Sequence, residues 1–190
     1  LDTAASDLRI RNGQVALNRH RATLDQIEAK YGVDKQIIVA IWGLESAYGT
    51  FRGSVDILSA LTTLAYDARR TEFFENELLQ ALMILQGGHT TADQLRGSWA
   101  GAMGHTQFIP TSYLQYAVDY TGDGRRDIVN THLDALASAA NYLARHGWGE
   151  QLRLVHHHQH RKPLLAGGFE HAVEEGGRAA HLPVRVEPFQ

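Results

Sequence analysis

Residues Val15–Gly32 read VALNRHRATLDQIEAKYG, with Leu17, Leu24, Ile27 and Tyr31 spaced by seven, three and four positions. That is the spacing of one face of an α-helix, and Gly32 supplies a stop. The same period continues outward. Asp34 is placed to cap a helix that Gly49 closes, and Asp56 to cap ILSALTTLAYDARR. TEFFENELLQALMILQGG (71–88) is amphipathic and runs into two glycines. Thr91 and Gln94 have capping-box spacing for a short helix. DALASAANYLARHGW (134–148) is an alanine-rich helix with basic residues in its last turn. No alternating strand pattern competes, so the sequence predicts a mainly α domain over 1–148. Beyond Trp148 the character changes: HHHQH stands at 156–160 and glycine pairs at 167–168 and 176–177. An irregular tail is expected over 149–190, with short extended pieces around LRLVHHH and LPVRVEP. The histidine run can bind metal, although such runs are more often solvated or processed segments.

A chain of 190 residues that is 44% hydrophobic can bury one ordinary core. Its 18 basic and 21 acidic residues leave a charge of −3, a balance that suggests neither a nucleic-acid surface nor a membrane-binding basic face. Cysteine is absent, so disulfides and thiolate metal sites are excluded. No apolar run reaches the roughly 18–20 residues that span a bilayer. The chain opens on Leu1 rather than methionine, so removal of a leader or upstream segment is expected.

One acid stands out. In IIVAIWGLESAYG (37–49), Glu45 shares a helix face with Ile38, Ile41 and Trp42, and Tyr48 follows at i+3. Desolvation there raises a carboxyl pKa, and a glutamic acid kept protonated can donate to a leaving oxygen, as in glycosidases. The plainer alternative is an exposed or arginine-paired glutamate at the edge of the face. A second segment, GSWAGAMGHTQFIPTSY (97–113), mixes glycines with lone polar groups and aromatics. Ser98 and Gln107 suit neutral polar ligand groups, while Trp99, Phe108 and Tyr113 offer flat apolar faces. Sugars need that mixture; a glycine-permitted helix contact is the alternative at Gly101 and Ala102.

Four blocks in order, IWGLESAYG, ALTTLAYDARRTEFFENELL, GSWAGAMGHTQFIPTSYLQYAVDYTGDGRRDI and DALASAANYLARHGW, together resemble the lytic murein transglycosylase B family. The resemblance implies a lysozyme-like, mainly α fold and a cell-envelope or periplasmic enzyme acting on peptidoglycan strands. It implies cleavage of the β-1,4 bond between N-acetylmuramic acid and N-acetylglucosamine, with the 6-hydroxyl of the muramic acid closing a 1,6-anhydro ring. Glu45 would then be the catalytic acid and afterwards the base, and no cofactor would be required for chemistry. By the same resemblance Ser98, Gln107, Tyr142 and Tyr48 would contact the saccharide or orient the acid. Arg69 and Arg70 would meet peptide carboxylates, or else form a salt-bridged helix end. A monomer is expected, with cell-wall enzyme complexes as its setting.

DYTGDGRRDIVN (119–130) has oxygen-bearing residues at positions 1, 3, 5, 9 and 12 and glycine at 6, the outline of an EF-hand calcium loop. Asp119, Thr121, Asp123 and Asp127 would ligate a structural Ca2+, with the Arg125 carbonyl at position 7. Position 12 is Asn130, so Asp134 on the following helix is expected to supply the missing oxygen. A calcium-free turn held by Asx hydrogen bonds is the other reading.

Two departures from the family stand beside these matches. Its usual C-terminal tyrosine–asparagine segment has no counterpart after Asn141 and Tyr142, and Phe51-Arg52 replaces a polar, asparagine-containing pair. An incomplete cleft would make a peptidoglycan-binding domain without turnover; a base for water would make a lysozyme-type muramidase. No obvious acid is placed to serve as that base.

Overall fold

The computed structural model describes residues 6–67 and 70–149. Helix α1 spans Asp7–Arg19, α2 Arg21–Tyr31, α3 Lys35–Ser46, α4 Ile57–Tyr66, α5 Thr71–Gln86, α6 Pro110–Tyr116 and α7 His132–Arg145. Strands β1 (Val55–Asp56) and β2 (Arg96–Gly97) form one two-residue antiparallel ladder, pairing Val55 with Gly97 and Asp56 with Arg96. The mainly α expectation holds. The stripe over 15–32 is not one helix, however. His20, at φ −107° and ψ 16°, separates α1 from α2, and its ring packs edge-on against Trp42 and His132. Tertiary ring packing therefore breaks a run whose local period reads as continuous.

The caps follow chemistry unevenly. Asp56 accepts the Ser59 N–H at 2.8 Å, whereas Asp34 makes no side-chain cap bond. The expected short helix after Thr91 is a single 3₁₀ turn, Ala92–Gln94. Helix α6 is started from outside: Glu77 of α5, 2% exposed, accepts the Thr111 N–H at 2.9 Å and also the Thr111 hydroxyl. That supplies an acceptor to orphan donors at a helix N-terminus that begins with Pro110.

Two apolar clusters build the interior. One gathers Ile57 and Leu61 of α4, Ile84 of α5, Tyr113 of α6, and Met103, Phe108 and Ile128 from the loops. The other gathers Leu24 and Ile27 of α2 with Ile38, Val39 and Trp42 of α3. Helix α7 serves both: Ala135 enters the first and Leu136, Ala137 and Ala140 the second, and every residue from Asp134 to Ala140 is buried. Its run of small side chains lets neighbouring elements approach from several sides. Truncating Leu136, with no exposed surface, would cost about 2–5 kcal/mol.

Candidate active site

Glu45 lies in the last turn of α3, where the chain leaves the helix through three consecutive left-handed residues, Ala47, Tyr48 and Gly49. The expected stop at Gly49 therefore comes three residues earlier, at Ser46. Such a turn is strained for Ala47 and Tyr48 and needs tertiary support. The support comes from His105. Ser46 Oγ donates to the His105 carbonyl at 2.6 Å and accepts the Gly49 N–H at 3.0 Å. Trp42 Nε1 donates to His105 Nδ1 at 3.0 Å. A Cβ at Gly49 would strike the His105 ring. His105 in turn donates its own N–H to Ile128 O at 3.0 Å, tying the acid's helix to the loop before α7.

The Trp42 bond makes His105 Nδ1 an acceptor, so the neutral ring carries its proton on Nε2. Burial first, then the neighbouring Arg52 and His132, push its pKa down to about 4. Beside it, Trp42 stacks on His132 with ring centroids 5.8 Å apart and planes 5° from parallel. Burial also lowers the pKa values of His20 and His132. The Trp42 surroundings are thus neutral, and a cation there is disfavoured.

Glu45 itself is open to solvent along its side chain, yet burial raises its pKa above the ordinary glutamate value. Its side chain is exposed, and the protein packed around it still disfavours the charged form. Among the described residues no hydrogen bond or ion pair reaches its carboxylate, so nothing stabilises the charged form. The carboxyl is free to hold a proton and to meet a ligand.

The glycine-rich segment folds back on itself: Met103 and Phe108 exchange backbone hydrogen bonds at 2.9 and 3.1 Å around a left-handed Gln107. Gln107 Nε2 donates to Gly104 O at 2.7 Å and Arg52 O at 3.1 Å, which occupies both its N–H groups. Only its Oε1 remains for a ligand. Ser98 Oγ accepts from Ala102 N at 3.0 Å and Ala100 N at 3.3 Å and keeps its own proton to donate. Tyr142 stacks on His146 at 4.1 Å and meets Tyr116 edge-on at 5.0 Å and Phe108 at 5.7 Å, a half-buried aromatic wall. Trp99 and Phe51 stand exposed, at 63% and 74%.

Tyr48 is placed differently from the saccharide contact expected of it. Its hydroxyl donates to Arg9 O at 2.7 Å, and its ring fills the space left by Gly13 and Gly43. It lines an apolar hollow of about 300 Å³ between α1 and α3. Arg70 lies over Phe73, with its guanidinium 4.3 Å from the ring centroid, at the start of α5. Arg69 and the whole of the expected tail lie outside the described residues, and with them the histidine run.

In the calcium-like loop, one oxygen from each of Asp119, Asp123 and Asp134 lies within 4.8 Å of the others. Asp119 is wrapped by amides: Gly122 and Asp123 donate to Oδ1 at 2.6 and 3.2 Å, and Gly124 to Oδ2 at 2.8 Å. Burial works to raise its pKa, but these bonds and the Thr121 hydroxyl outweigh it and hold the value low. Asp134, fully buried, accepts the N–H groups of Tyr120, Thr121 and Asp127, all at 3.0 Å. Burial nonetheless raises its pKa. Three carboxylates of hard oxygen, one buried with no cationic side chain on it among the described residues, fit a dication such as calcium. Asp127 stands apart from the cluster: its Oδ1 accepts the Val129 and Asn130 amides at 3.1 and 2.9 Å. Thr121 is turned to donate to Asp119 Oδ1 at 3.3 Å, and the Arg125 N–H bonds Asp123 Oδ1 at 2.8 Å.

Comparison with known proteins gives this arrangement its relatives. Residues 1–176 match the transglycosylase SLT domain. The chain belongs to that family. It is 40% identical over 164 residues to the membrane-bound lytic murein transglycosylase B of Escherichia coli K12, covering 85% of this chain and 45% of that protein. SltB3 of Pseudomonas aeruginosa, solved in complex with NAG-NAM-pentapeptide, superposes with a TM-score of 0.76 at 52% identity, over 77% of this chain and 39% of that one. The E. coli lytic transglycosylase Slt35, solved in complex with calcium, gives a TM-score of 0.73 at 40% identity, over 77% and 47%. The SLT domain chain thus spans less than half the length of each of these relatives. Its helical fold is that of lytic transglycosylases, as the resemblance implied.

The sequence did not point to His105, Trp42 as its partner, or Glu77. A histidine inside a glycine-rich segment was the one available signal for the first. Its partners lie 59 and 63 residues away.

Proposed function

We propose that this chain is a peptidoglycan lytic transglycosylase, cleaving the β-1,4 bond between N-acetylmuramic acid and N-acetylglucosamine, with residues 1–148 as its catalytic domain. The observation that carries the reading is a solvent-open, unpartnered Glu45 whose pKa is raised by its surroundings. Protonated Glu45 gives its proton to the glycosidic oxygen as the bond from C1 breaks and positive charge develops at C1. The resulting carboxylate takes the proton of the muramic acid 6-hydroxyl as that oxygen bonds to C1. The proton returns to Glu45, no water is consumed, and no second carboxylate is needed because the substrate supplies the nucleophile. Ser98, with its free hydroxyl proton, serves a sugar amide or Glu45. Gln107 offers an acceptor only, and the Tyr142 wall an apolar face to a sugar ring. Arg70 stands for the peptide stem.

The three-carboxylate cluster holds calcium through Asp119, Asp123 and Asp134, and the ion braces the loop without entering the chemistry. The substrate places the protein in the bacterial cell envelope, with glycan strands as its partner. Among the described residues no helix is long and apolar enough to cross a membrane.

Mass spectrometry of purified peptidoglycan treated with the parent chain and with Glu45→Gln tests the reading. Anhydro-muropeptides are expected from the parent alone. Reducing ends instead would identify a hydrolase, and binding to sacculi with no product from either protein would identify a binding domain.

A further inference from the structure

The turn that follows the acid's helix belongs to a closed ring of hydrogen bonds running through three separate stretches of chain. Ser46, next to Glu45, donates its hydroxyl to the His105 carbonyl at 2.6 Å. His105 donates its N–H to the Ile128 carbonyl at 3.0 Å. One residue on, the Val129 carbonyl accepts from Arg52 Nη1 at 2.7 Å. The Phe51 N–H, one residue before Arg52, returns to the Ser46 carbonyl at 2.9 Å and completes the ring. The Arg52 bond spans the longest separation in it, 77 residues.

Both ends of that bond are themselves held. The Asp127 carboxylate accepts the Val129 N–H at 3.1 Å. The Arg52 carbonyl accepts from Gln107 Nε2 at 3.1 Å, and a Cβ on the following Gly53 would collide with the Gly97 backbone. Arg52 spends one of its N–H groups on Val129, and among the described residues no carboxylate lies within ion-pair distance of it. Its charge therefore acts on its surroundings without a partner to cancel it. The charged and titratable groups facing the His105 ring are Arg52, His132 and Asp127. Beyond burial, the first two disfavour a proton on that ring and the third favours one.

We infer that Arg52 is a positioning residue for the acid: by closing this ring it fixes the turn beside Glu45 and holds His105 against Trp42. The inference rests on the proposed reaction, in which Glu45 is the acid. Without the guanidinium the ring becomes an open chain, and the left-handed residues 47–49 lose one of the supports that such a turn needs. A proton on His105 Nδ1 then also costs less, and it takes the place of the hydrogen bond from Trp42 Nε1.

NMR of the full chain carrying Glu45→Gln reads the clamp without turnover. The probes are the His105 ring protons and the Trp42 indole N–H, followed through a pH titration. His105 should titrate at about 4 with Arg52 in place. Arg52→Met should move that midpoint up and shift the indole signal with it. Arg52→Lys keeps a charge and a donor for Val129 and should bring both back. In the active chain, Arg52→Met should lower kcat about tenfold with KM little changed, because Gln107 keeps its bond to Gly104 O. It should also move the low-pH limb of the kcat profile upward, and Arg52→Lys should recover most of kcat and return the limb. A general loss of stability would lower activity without moving that limb. If Arg52→Met folds poorly, Arg52→Gln, which keeps a donor and drops only the charge, serves for the titration. An unmoved His105 midpoint and indole signal, a loss confined to KM, or no recovery with lysine overturns the inference. A parent chain that cleaves nothing sinks the reaction but not the clamp, which the titration then decides.

Discussion

Glu45 and Asp119 are both carboxylates near helix ends beside turns with left-handed residues, yet the fold treats them in opposite ways. Asp119 collects amides from Gly122, Asp123 and Gly124 and is held ionised. Glu45 collects none among the described residues and is pushed toward its protonated form. The turn after Asp119 is closed by the carboxylate itself. The turn after Glu45 is closed by other groups, Ser46 and His105, which leave the carboxyl unused. A carboxylate that builds its loop is unavailable for proton transfer; one whose loop is built for it is available.

The largest expected break in this contrast comes from Glu45→Gln, which should lower anhydro-product formation by about 10³-fold, within the range of a lost general acid, with the circular dichroism spectrum unchanged. Next is His105. Replacing it with phenylalanine removes the acceptor for Trp42, whereas asparagine offers an oxygen near the Nδ1 position. His105→Phe should cost roughly 10–100-fold in kcat, much of it recovered in His105→Asn. The pH profile separates them. Activity should fall as pH rises through the raised Glu45 pKa, where the proton donor is lost. It should also fall as pH drops through about 4, where His105 protonates and releases Trp42. An acid limb unchanged in His105→Asn would break the assignment.

Smaller effects sharpen the other side. At a calcium concentration of roughly 10–100 times a millimolar-range Kd, binding should add about 1.4–2.7 kcal/mol, or roughly 3–10 °C in Tm, and Asp119→Asn should remove the shift. Its pH dependence follows from Asp134. The folded pKa of Asp134 is raised, so the native chain holds that proton better than the unfolded one. Calcium-free stability therefore declines as pH rises through that value, and calcium acts against the ionised form. The calcium shift should be larger above the raised Asp134 pKa than below it, measured in Glu45→Gln so that the second raised carboxyl does not contribute. The smallest is Tyr48→Phe. Loss of the Arg9 hydrogen bond should lower stability by about 0.5–1.5 kcal/mol with KM unmoved, while a raised KM would return Tyr48 to the saccharide.

Much was legible in the residues. The 3.6-residue period located α2, α5 and α7, because each must bury one stripe, cap residues located α3 and α4, and the spacing of oxygens from Asp119 to Asp134 located the loop; α6 and the first two turns of α1 were not read. Glu45 stood out because a carboxylate on an apolar face needs a reason. The break at His20 was not legible, since nothing in VALNRHRATLDQIEAKYG violates helical spacing; ring packing with Trp42 and His132 decides it. Asp127 was a reasonable ligand by position and is instead turned to the Val129 and Asn130 amides.

What the sequence by itself determined was therefore local: period, caps, and the order of charged and oxygen-bearing side chains, all set by neighbours a few residues apart. What only the tertiary structure decided is the state of each polar group. Trp42 meets His105 across 63 residues, Arg52 meets Val129 across 77, and Glu77 starts α6 across 34. Whether a carboxyl is charged, and whether an arginine keeps donors to spare, depends on desolvation and partners that arrive from such distances. Spacing along the chain carries no record of them.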